Sequence, residues 1–189
     1  MKFLDQIQNA LSKSFLDTSP QENRRVKVTN FPQSTSVGLI YKEKSESFYI
    51  LVKQYVQYLK AEHGIRDVLA MAYVEDKRIP YWQVQKLEFE FFSKADLDWR
   101  LKPSSLELDN FIAKDFDILI DLTLDPSPPL MFILAKSRAR FKVGAWNAKK
   151  VDVLDLLVDL EANNTFDQYI KKLNHFLTIL NKHNDPQPV

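Results

Sequence analysis

Two carboxylates, Asp121 and Asp125, stand where the apolar run FDILIDL (residues 116–122) gives way to the proline-rich segment TLDPSPP. An acid that ends a buried strand can accept backbone hydrogen bonds from the turn that follows, or hold a sugar hydroxyl or similar polar ligand, or share a cation with a neighbouring acid. Asp117, four residues before Asp121, points to the same face of the strand. No histidine and no third acid accompanies Asp121 and Asp125, whereas a divalent cation needs several converging oxygens, so no metal is expected. Lys77 and Arg78 follow a second apolar run, DVLAMAYVE, and read either as a mixed-charge exposed turn or as a clamp for an anionic group, if their strand neighbours that of Asp121.

In KADLDWR, the trio Asp98, Trp99 and Arg100 gives two readings. The indole of Trp99 covers the edge of the core, or it stacks a base or sugar steered by Asp98 and Arg100. Lys142, Gly144 and Trp146 repeat the mixture of cation, small residue and aromatic, and Gly144 either permits close backbone approach or makes a turn. The histidines at 63, 175 and 183 lack ligand-like spacing, and a cation at a helix C-terminus suffices for His63. There is no GxSxG elbow, no GxxxxGK loop and no cysteine. Nucleophile-elbow hydrolysis, Walker-type nucleotide binding and thiol chemistry are excluded, and no catalytic residue or cofactor is assigned.

The elements that would position these residues follow from periodicity. SVGLIY and DVLAMAYVE are short apolar runs that flank SESFYILVKQYVQYLKAEHG, whose Phe48, Leu51, Val52, Val56 and Leu59 recur at helical spacing, with Gly64 as the stop. Strand, amphipathic helix, strand is a βαβ unit, which implies parallel pairing. LEFEFFS alternates Leu87, Phe89 and Phe91 against Glu88 and Glu90 and predicts a strand open to solvent on one face. A helix capped by Ser104 or Ser105 follows, with Leu106, Leu108, Phe111 and Ile112 inward. FDILIDL is the central strand, and LMFILAKS is a helix after Pro128 and Pro129. RFKVG is a strand, VDVLDLLVDL holds the last sheet element, and residues 165–181 form a terminal amphipathic helix.

Residues 3–15 place Phe3, Leu4, Ile7, Leu11 and Phe15 on one helical face, suited to packing on its own domain or on a second copy. The predicted organisation is an N-terminal helix and linker (1–29), one α/β domain (30–182) and a flexible tail (183–189). The predicted fold is a three-layer, Rossmann-like, mostly parallel sheet with helices on both faces, and that arrangement sets Asp121 at the carboxyl edge where open sheets take their ligands.

The whole chain has 189 residues, 45% hydrophobic and 27% charged, which suits one domain with a real core. Twenty-six basic against 25 acidic residues leave a formal charge of +1, so a nucleic acid would find only local patches, Arg24 with Arg25 and KSRARFK. No run is long and apolar enough to span a membrane, and MKFLDQIQNALSKSF lacks a signal-peptide core, so the default reading is cytoplasmic.

The Lys77 to Pro80 turn, KADLDW, FDILIDL and FKVG together resemble a family of uncharacterised bacterial proteins found mainly in Bacteroidetes; that resemblance implies an α/β fold and an intracellular setting, with no activity attached. FDILIDL followed by a helix and ARFKVG also resembles, over about thirty residues, the nucleotide-fold domain of heptosyltransferase-type glycosyltransferases. On these grounds the expected function is a noncatalytic cytoplasmic binding or interaction protein, as a homodimer or with a protein partner. The alternative is an enzyme or binding protein for a nucleotide-like or sugar-phosphate ligand. A small anionic ligand is the expected small molecule.

Overall fold

The computed structural model describes residues 24–83, 87–160 and 165–181. The helix expected at 3–15 and the tail at 183–189 lie outside them. Six strands, β1 (Ser36–Lys42), β2 (Asp67–Val74), β3 (Phe89–Ser93), β4 (Ile118–Asp121), β5 (Phe141–Ala145) and β6 (Leu156–Val158), form one sheet in the order β3-β2-β1-β4-β5-β6. Every neighbouring pair is parallel, so the sheet expected to be mostly parallel is wholly so among the described residues.

Both faces of the sheet are covered, which is why the strands read as nearly continuous apolar runs. Val37, Leu39 and Tyr41 of β1 enter one core, and Ile40 enters the other. The first core is closed by α1 (Glu46–His63) and α4 (Phe166–Ile179), which bury Val52, Leu59 and Leu173. The Tyr55 hydroxyl of α1 donates to Asn174 Oδ1 of α4 at 2.7 Å. On the opposite face α2 (Leu106–Ala113) and α3 (Pro128–Lys136) bury Phe111, Leu130 and Ile133 against Met71 and Leu119.

Helix limits follow from local chemistry. The Ser45 hydroxyl accepts from Phe48 N at 3.2 Å and starts α1. Gly64, at φ 66°, ends it by turning its N–H back to the Leu59 carbonyl. Ser105 caps α2 in the same way, accepting from Leu108 N at 3.2 Å. Pro128 and Pro129 open α3, where a missing amide hydrogen costs least.

Several local expectations are corrected. Leu87 is 97% exposed and precedes β3, while Phe92 is buried in the α2/α3 core, so β3 uses both faces rather than one. Leu106 is exposed at the first position of α2, and the core contacts fall to Leu108 and Phe111. His63, in the last turn of α1, also packs its ring at a tilt on Phe31 with ring centroids 4.5 Å apart, and burial holds its pKa below the ordinary value.

The predicted linker reaches into the described residues at 24–29, and Arg24 is docked. Its Nε donates to the Ala139 carbonyl at 2.7 Å, and its guanidinium pairs with both carboxylate oxygens of Asp155. The KSRARFK run is likewise committed: Arg138 pairs with Asp115, Arg140 pairs with Asp117, and Lys142 is buried. Neither local patch presents a free row of cations. No helix among the described residues is long and apolar enough to cross a membrane.

Candidate functional site

From β1 the chain winds outward through β2 to β3, and from β4 it winds the other way through β5 to β6. The connections leaving the carboxyl ends of β1 and β4 therefore diverge and leave a crevice between them, the place where open α/β sheets bind ligands. A cavity of ≈ 620 Å³ lies there. One wall is the β1–α1 turn with Lys42, Glu43 and Lys44; the other is the β4–α3 loop from Leu122 to Pro129. Tyr73 and Glu75 from the end of β2, with Lys94 and Leu101 from beyond β3, close the third side.

The β4–α3 loop is held from below by a buried ion pair. Lys150, in the β5–β6 connection, places Nζ 2.7 Å from Asp121 Oδ2, with the lysine side chain fully buried and the aspartate 1% exposed. The same ammonium donates to the Thr123 carbonyl at 2.7 Å and meets Thr123 Oγ1 at 3.0 Å. Asp121 Oδ1 accepts from Thr123 N at 2.9 Å and from its hydroxyl at 2.6 Å. The Tyr169 hydroxyl donates to the Asp121 carbonyl at 2.6 Å, tying the end of β4 to α4. With Oδ1 held by Thr123 and Oδ2 facing the Lys150 ammonium, Asp121 shapes the crevice without lining it.

The crevice lining mixes charges. Lys42 Nζ is 2.6 Å from Glu75 Oε2, joining the ends of β1 and β2. Lys44 sits over the Phe48 ring at 5.3 Å. Burial pushes the Glu43 carboxyl above its ordinary pKa, against hydrogen bonds from the Gln83 amide and the backbone of Lys44 and Ser45. Tyr73 is raised as well, by burial and then by Glu75, and stays a neutral phenol. Ser127, the N-cap residue of α3, is buried and makes no capping bond with its side chain, which lines the cavity.

Leu101 enters the cavity wall from an uncommon backbone conformation, φ 63°. The turn around it is over-determined: Asp98 Oδ1 accepts from Arg100 N at 2.8 Å and Lys102 N at 2.9 Å, and Leu97 bridges to Pro103. Left-handed backbone in a branched residue costs about 1–2 kcal/mol and persists only where surrounding contacts hold it.

Of the residues singled out by sequence, Asp125 lines the crevice and Asp121 supports its loop. Lys77 and Arg78 lie in the exposed turn after β2, and β1 stands between β2 and β4, so the neighbouring strands that would bring them to Asp121 are not neighbours. Trp99 is 76% exposed with the Arg100 guanidinium 4.5 Å from its ring, so it does not cover the core edge, and Asp98 serves its own turn. Lys142, Gly144 and Trp146 separate as well. Lys142 is buried with its ammonium on the Leu134 carbonyl, Gly144 faces Leu154 and Asp121, and Trp146 is exposed beyond β5.

Sequence reasoning passed over Lys42, Glu43 and Lys44, although a charged triplet between an apolar strand and a serine cap was a readable signal. Lys150 had none, because its partner is far away in the chain. Among the described residues no group of three or more His, Cys, Asp and Glu converges as a metal centre.

Compared with known proteins, the chain matches over residues 7–180 a family model described as a family of unknown function. The resemblance drawn from the Lys77 to Pro80 turn, KADLDW, FDILIDL and FKVG is, at that level, a resemblance to an uncharacterised family. No curated protein and no solved structure matches the chain.

Proposed function

Because the chain belongs to DUF6913, a family of unknown function that passes on no activity, we propose its role from the crevice itself: a noncatalytic binding protein for a small molecule anchored by an anionic group. The observation that carries this reading is the lining of one cavity at the β1/β4 switch point by Lys42, Lys44 and Lys94. Binding rather than catalysis is supported by the commitment of Asp121 to Lys150 and Thr123 and by a lining that includes no histidine. A cytoplasmic, bacterial setting belongs to the same proposal; a chain without cysteine needs no oxidising compartment, which fits the cytoplasmic half of it.

The test is calorimetric titration of inorganic phosphate into the full chain and into the double variant Lys44→Ala/Lys94→Ala. Both lysines are exposed, so the variant should fold and melt as the parent does. Saturable binding to the parent, weakened about tenfold or more in the variant, is expected. Equal binding to both proteins, or none to the parent, overturns the reading.

A further inference from the structure

The strand order found here is the one that, in dinucleotide-binding domains, brings a pyrophosphate against the turn after β1, where glycines let the backbone come close. The chain has three glycines, and none is in that turn. Gly38 is inside β1, Gly64 ends α1 and Gly144 is inside β5. The turn reads Glu43, Lys44, Ser45, and each side chain keeps a phosphate at arm's length from the backbone.

The two helix starts at the crevice are closed in the same sense. At α1 the Ser45 hydroxyl already takes the Phe48 amide, and Glu46 sets a carboxylate in the first turn, where it opposes a second anion. At α3 the first two residues are prolines without amide hydrogens. Phosphate recognition here falls to ammonium groups on flexible stems.

Those ammonium groups alternate with carboxylates. Lys42 and Glu75 form an ion pair that is neutral as a unit, and Glu75, with its side chain 65% exposed, keeps lone pairs turned to solvent. Such a carboxylate accepts from neutral hydroxyls, while the adjacent Lys42 repels an incoming cation. Asp125 adds a second exposed acceptor on the opposite wall. Resting on the anion-binding reading of the crevice and narrowing it, we propose that the ligand is a polyhydroxylated monophosphate of the sugar-phosphate class. Its phosphate is held by Lys44 and Lys94, its hydroxyls are read by Glu75 and Asp125, and dinucleotides are excluded by the glycine-free turn.

Calorimetry on the full chain with four probes tests this: inorganic phosphate, ribose 5-phosphate, glucose 6-phosphate and NAD. At least one sugar phosphate should bind about tenfold or more tightly than inorganic phosphate, and NAD should bind no better than phosphate. Glu75→Gln, an exposed and nearly isosteric change, should erase most of the sugar advantage, read as the ratio of sugar-phosphate to phosphate affinity within the variant, while releasing Lys42 from its pair raises affinity for both. Equal affinity for sugar phosphates and phosphate, an unchanged preference in Glu75→Gln, or tighter binding of NAD overturns the sugar-phosphate assignment and leaves anion binding standing. Failure of every probe, phosphate included, overturns both.

Discussion

Lys150 and Asp121 form a pair whose two charges have both left water, so their attraction must first offset two desolvation costs. Such a pair adds little net stability compared with well-packed apolar residues, yet removing one member strands the other. Asp121→Ala leaves a buried ammonium with only the Thr123 oxygens, and the expected loss is about 3–5 kcal/mol in urea unfolding. Replacing both partners, as Asp121→Leu with Lys150→Met, should recover most of that loss. If the double variant is as unstable as the single one, the cost belongs to the loop hydrogen bonds of Asp121 rather than to the stranded charge. Crevice preference for sugar phosphates over phosphate should fall in both, because the loop that carries Asp125 loses its anchor.

At the level of elements, β1 and β4 lie side by side, and Gly38 of β1 sits close against Phe116 and Leu119. A Cβ there would come within 2.9 Å of the Phe116 ring and 3.0 Å of Leu119. A buried ring has no room to yield, so Gly38→Ala should destabilise by about 1–3 kcal/mol, measured as a shift of the urea midpoint with unchanged slope. A midpoint within error of the parent would mean that the two strands can part without cost. The strands and helices were legible because each carries its own signal: continuous apolar runs for strands buried on two sides, a 3.6-residue period in α1, and serine, glycine and proline at the ends. Leu106 and Leu87 misled because an apolar side chain at an element's end answers to the cap or turn beside it, and not to the period. The site was legible only in outline. A switch point follows from strand order, which local patterns do not encode, so Asp121 could be set at the right edge while the strand adjacency on which a Lys77 or Arg78 clamp depended could not be read.

For the molecule as a whole, the formal charge of +1 hides an uneven interior. Lys142 is 3% exposed, and burial together with the nearby Arg24 lowers its pKa to about 7, against an opposing pull from Asp155. Unfolded, the same lysine keeps its proton up to about 10.5, so between these two values the unfolded chain binds more protons and stability rises with pH. The slope is at most about 1.4 kcal/mol per pH unit. Urea midpoints between pH 7 and 10 should climb in the parent and flatten in Lys142→Met; the same climb in both would remove Lys142 as the source. Arg24 belongs to a seam that joins the start of the described chain to its finish: Asn30 donates to the Leu180 carbonyl at 2.5 Å, and Asn181 donates to the Val28 carbonyl at 3.0 Å. Arg24 itself rests on Ala139, just ahead of β5, so the seam lies at the amino edge of the sheet, behind the crevice. A fluorescent probe attached to the Asn181 side of that seam would sit at the back of the domain and leave its mouth unobstructed.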